Sequence, residues 1–116
     1  MGVKSKRLEK NYVVSNGPVQ LRVIIGDRQF GTSRVLLDGA ELALGDVDGL
    51  TISSPGGLRG KDLFVKTVVT DINDQSNFTS ITYELSGGVS AEQFQLEERV
   101  DNDGDSIVYR ATLHFT

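Results

Sequence analysis

Along the C-terminal stretch SIVYRATLHFT, apolar and polar positions alternate. Ile107, Tyr109, Ala111, Leu113 and Phe115 share one parity, and Val108, Arg110, Thr112, His114 and Thr116 share the other. Successive side chains of a strand point to opposite faces, so the run predicts a half-buried strand with the first set inward. FTSITYELS repeats the pattern with Ile81, Tyr83 and Leu85, and PVQLRVIIG with Val19, Leu21, Val23 and Ile25. KDLFVKTVVTDI is apolar on both parities, which predicts a central strand covered on both sides over part of its length. NYVVS, SRVLL, ELALG and LTIS supply shorter strands.

SAEQFQLEERV admits two readings. Ser90 and Gln93 have capping-box spacing, which allows a short helix. Phe94, Leu96 and Val100 share a strand face but make no helical stripe, so residues 90–99 are read as a strand after a capped turn. Asn, Asp, Gly and Ser punctuate the chain at 16–18, 37–41, 73–77 and 101–104, where positive φ or an Asx-turn suits a reversal. The longest loop is SSPGGLRGK, 53–61.

Short strands at regular spacing without helical crossovers predict an all-β fold. We read an antiparallel β-sandwich of about seven or eight strands, immunoglobulin-like or C2-like in architecture, with a small β-barrel as the alternative. The sandwich is preferred because a doubly covered strand sits easily within two packed sheets.

Length agrees, since 116 residues suit one domain with a real core. With 38% hydrophobic and 24% charged residues, the chain lies away from the disordered corner of composition. Charge sets the domain boundary. Residues 1–10 carry Lys4, Lys6, Arg7 and Lys10 against Glu9, a balance of +3, and read as a flexible basic N-terminal tail before a single domain over 11–116. From Asp71 onward nine carboxylates face two arginines, or −7, within a net charge of −4. An acidic body argues against nucleic acid as a partner.

No apolar run is long enough to span a bilayer, and the N-terminus has no apolar signal-peptide core, so neither a transmembrane segment nor a leader is expected. The absence of cysteine excludes disulfides, thiolate metal sites and a cysteine nucleophile. It fits a cytoplasmic protein or a trimmed exported domain.

Candidate chemistry is sparse. His114 is the only histidine and lies on an outward strand parity, so neither a triad nor a histidine zinc site is expected. GGLRGKD departs from a phosphate loop, with Pro55 at the first glycine position and Asp62 at the last. VDNDGDSIV sets Asp101, Asp103 and Asp105 at the first alternating positions of a calcium loop. Ser106 replaces the turn glycine, however, and Thr112 the closing glutamate, so this is no EF-hand. A second geometry remains: if alternate junctions share one end of the sandwich, loops at 16–18, 37–41, 71–77 and 101–105 meet there. Asp71, Asp74, Asp101, Asp103 and Asp105 then become candidate Ca²⁺ ligands, with Asp38 nearby.

With no catalytic set and no cofactor motif, the expected function is a non-enzymatic interaction, adhesion or assembly module that meets a protein partner through edge strands or loops. The alternative is a calcium-dependent ligand-binding module. Oligomeric state stays open at this level.

Overall fold

The computed structural model describes residues 3–26, 29–72, 75, 77–102 and 104–116. Nine strands follow in chain order: β1 Val3–Tyr12, β2 Val19–Ile25, β3 Phe30–Leu37, β4 Ala40–Gly45, β5 Asp48–Ile52, β6 Asp62–Thr70, β7 Phe78–Ser86, β8 Glu92–Arg99 and β9 Ser106–Phe115. They form a sandwich of two open sheets, β1-β9-β6-β3-β4 and β5-β2-β7-β8. Among the described residues there is no helix, and Glu92–Arg99 is the strand that its alternation predicted.

The alternation of β9 translates directly into packing. Ile107, Tyr109, Ala111, Leu113 and Phe115 are all buried, against Leu21, Ile81, Tyr83 and Leu85 of the facing sheet within one core. Each large apolar side chain so enclosed contributes roughly 1.5–3 kcal/mol of transfer free energy. Two pairs of polar side chains are matched inside: Ser33 and Thr67 hydroxyls lie 2.7 Å apart, and Tyr109 Oη lies 2.6 Å from Thr79 Oγ1. β6 is central in its sheet, as its composition predicted, but no further layer covers its outer side; Phe64 and Val68 are half-buried there among neighbouring side chains.

Two expectations are corrected. Residues 3–10, read as a flexible tail, belong to β1, which pairs with β9 from Val3↔Ser106 to Tyr12↔Phe115. This pairing is parallel, so the sandwich is antiparallel except at one ladder. The physical reason lies in parity: Leu8 and Tyr12 face the core with Lys4 and Lys6 in line. The two lysines cross to β8, donating from Nζ to Arg99 O at 2.7 Å and Glu97 O at 2.8 Å. Their long stems let charged heads reach the rim while the strand packs.

The loop grouping is also corrected. Three strands, β4, β5 and β6, separate the 38–39 turn from the 71–77 loop, so these lie at opposite ends. Asp38 N donates to Asp62 O at the start of β6 and Asp62 N to Asp38 Oδ1, whereas Asp71, beyond the finish of β6, donates from its N to Asp105 O. Asp71 and Asn77 share one end with Val100, Gly104 and Asp105, and Val14, Asp38 and Gly60 lie at the other. The 38–39 turn is the two-residue hairpin that Asp-Gly predicts, with φ of 47° at Asp38 and 88° at Gly39.

Candidate functional site

At the acidic end the two loops interlock through backbone. Asp71 N donates to Asp105 O and Gly104 N to Asp71 O, both at 2.9 Å, and Val100 N donates to Asn77 O at 2.9 Å. Gln29 fastens the same end, donating from Nε2 to Phe78 O at 2.9 Å and accepting from Ile72 N at 2.8 Å. Asp71 is only 2% exposed. Asp105 Oδ2 accepts Asn102 N at 3.1 Å within its own turn, and Asp101 lies 3.6 Å from Lys4 Nζ on exposed surface. Asp71, Asp101 and Asp105 therefore do come to one end; Asp74 and Asp103 lie outside the described residues. Among the described residues no three His, Asp or Glu side chains are grouped to hold a metal ion.

His114 points outward from β9, as its parity required. Its Nδ1 lies 2.7 Å from Asp62 Oδ1 of β6 and its Nε2 2.7 Å from Glu9 Oε2 of β1. The hydrogen bond to Asp62, followed by that to Glu9, raises the imidazole pKa from its usual 6.5. With both nitrogens held by carboxylates, the ring is a strap across three strands.

The two flanks of the sandwich differ. Where β1 lies beside β8, the lysine amines occupy carbonyls on the open edge of β8. On the opposite flank β4 ends its sheet with the sequence AELALG, which has no Lys, Arg or Pro. Of the usual devices that blunt an edge, it has a bulge at Leu42 and one charge, Glu41, which is paired with Arg34. Leu44 is 71% exposed and Leu42 39% exposed, with Phe30 of β3 at 57% on the same sheet.

Register also builds a feature that parity alone does not reveal. On the outer face of the five-stranded sheet, Arg7 pairs with Arg110, Arg110 with Lys66, and Lys66 with Arg34. Strand spacing of about 4.8 Å makes this a cationic row roughly 14 Å long. Arg34 Nε lies 2.6 Å from Glu41 Oε1. Among the described residues, Arg7, Lys66 and Arg110 have no carboxylate within ion-pair distance. Like charges directly opposite on neighbouring strands destabilise by a few tenths of a kcal/mol or more per pair. A groove of about 290 Å³ opens at the Arg7–Arg110 end of this row, lined by Arg7, Leu8, Glu9, Phe64, Arg110 and Thr112. A larger hollow of about 570 Å³ lies on the other sheet, but its one cation, Arg22, is already paired with Asp48 at 3.0 Å and Glu84 at 3.6 Å.

In the sequence, Arg34, Lys66 and Arg110 show only as single cations within separate strands, and Arg7 as part of a basic tail. Their alignment depends on the register of β1 on β9, a pairing between opposite ends of the chain. No protein-family model, curated protein or solved structure matches the chain.

Proposed function

We propose that this β-sandwich is a non-catalytic interaction module that takes an extended segment of a protein partner by strand addition at β4. The observation that carries this reading is the asymmetry of its flanks: lysines occupy the β8 edge, whereas β4 offers an open edge beside exposed Leu42 and Leu44. Unpaired N–H and C=O groups supply affinity in such a complex, and alternate side chains supply specificity.

The test is a titration of the ¹⁵N-labelled chain with extended peptides enriched from a display library. Shifts should centre on Ala40–Gly45 and be lost in Leu44→Lys. Enriched peptides that perturb β8 instead, or a hydrolytic activity abolished by one loop or strand substitution, would overturn the reading.

The calcium-dependent alternative has one support, the meeting of the loops that carry Asp71 and Asp101–Asp105. Saturable amide shifts there with millimolar Ca²⁺, lost in Asp105→Asn, would favour it over strand addition. A flat titration would remove it.

A further inference from the structure

We propose that the outer face of the five-stranded sheet carries an oxyanion site, formed by Arg7, Arg110 and Lys66, which takes the phosphoryl group of a small organic phosphate. Three adjacent strands, β1, β9 and β6, each place one cation in the same register row. At the spacing of neighbouring strands, three such long side chains can converge on one anion. Aligning like charges works against folding, and an anion bound between them reverses that repulsion.

The donor count selects the ligand class. Two guanidiniums and an ammonium present more N–H groups than the two oxygens of a carboxylate accept, whereas a phosphate monoester brings three terminal oxygens and nearly twice the charge. Guanidinium forks match phosphate oxygens in pairs. Beside Arg7 and Arg110, the groove continues to Phe64 and Thr112, an apolar wall for an organic substituent and a hydroxyl for hydrogen bonding. Glu9 is the carboxylate on the groove, and its Oε2 is held 2.7 Å from His114 Nε2. Arg34, at the far end of the row, is engaged by Glu41, which confines the site to β1, β9 and β6.

The site stands independently of strand addition at β4. Its test is titration of the whole chain at low ionic strength with phenyl phosphate, inorganic phosphate, acetate and a short single-stranded oligonucleotide, following amide and arginine Nε signals. Phenyl phosphate should give saturable shifts around Arg7, Lys66 and Arg110 and bind more tightly than inorganic phosphate. Arg110→Gln and Lys66→Gln should each weaken it about tenfold or more, as loss of a charge-assisted bond predicts. Arg22→Gln, on the other sheet, should leave binding unchanged. The first two variants also relieve repulsion, so each should melt at a higher temperature than the unliganded parent. A scaffold role for the same side chains would give a lower one. No saturable shift, an equal response to acetate, binding of the oligonucleotide alone, or unchanged affinity in both variants would overturn the proposal.

Discussion

At the scale of single residues, His114 gives the chain a defined pH response. Its pKa is raised in the folded state by carboxylates on two other strands, first Asp62 and then Glu9. The protonated ring is therefore favoured by folding. The strap's contribution is complete below the usual value of 6.5 and is lost as pH rises through the higher folded value. In an NMR titration, Glu9→Gln should bring the His114 midpoint down toward 6.5, and His114→Gln should flatten the fall in melting temperature above neutral pH.

Gly88 is a steric case. A Cβ there would sit 2.4 Å from Val13 O and 2.8 Å from the Tyr12 ring, and the first of these is backbone. The Tyr12 hydroxyl accepts Gly88 N at 3.0 Å and donates to Ser90 O at 2.9 Å, so the ring cannot swing aside without breaking both bonds. Gly88→Ala should cost about 1–3 kcal/mol in urea unfolding. Gly17→Ala, with nothing within 4 Å, should be neutral or slightly stabilising.

At the scale of elements, the strands that read clearly are those whose neighbours in sequence suffice to define a face. The inward set of β9 was visible in five alternate apolar residues, and the β3–β4 hairpin in Asp38-Gly39. β1 was not visible as a strand because two of its core-side positions are Lys4 and Lys6. Lysines at alternate positions resemble a solvated tail until the facing carbonyls of β8 supply acceptors. The consequence is measurable: deleting residues 1–10 should strip β9 of its parallel partner and lower the melting temperature by several degrees or more, with increased association through the newly opened edge. A loosely attached tail would leave both unchanged. Within the core, Thr67→Val should cost about 1–3 kcal/mol by leaving the Ser33 hydroxyl buried without its 2.7 Å partner.

At the scale of the whole molecule, the limits of sequence reading follow from topology. The cationic row joins residue 7 to residue 110 and residue 66 to residue 34, and each link is a register between strands distant in the chain. The acidic end failed as a four-loop cluster for a related reason: correct grouping needs every reversal counted, and the 46–47 link between β4 and β5 is one of them. Asp71 with Asp101 and Asp105 survived because an even number of strands, β7 and β8, lies between their loops. Such non-local pairing also slows folding, since the chain must close long loops before contacts repay them. Refolding should take milliseconds to seconds in stopped-flow experiments.

The parallel ladder between β1 and β9 has a mechanical consequence. The two strands run side by side in full register, so Val3 and Phe115 leave the sheet at opposite ends of a body 45 Å long. Tension applied between these two positions pulls the strands past each other along their length. The transverse hydrogen bonds then share the load together, whereas traction across the β3–β4 hairpin would open its bonds one after another. The fold is thus built to resist stretching along one axis and to yield readily along another.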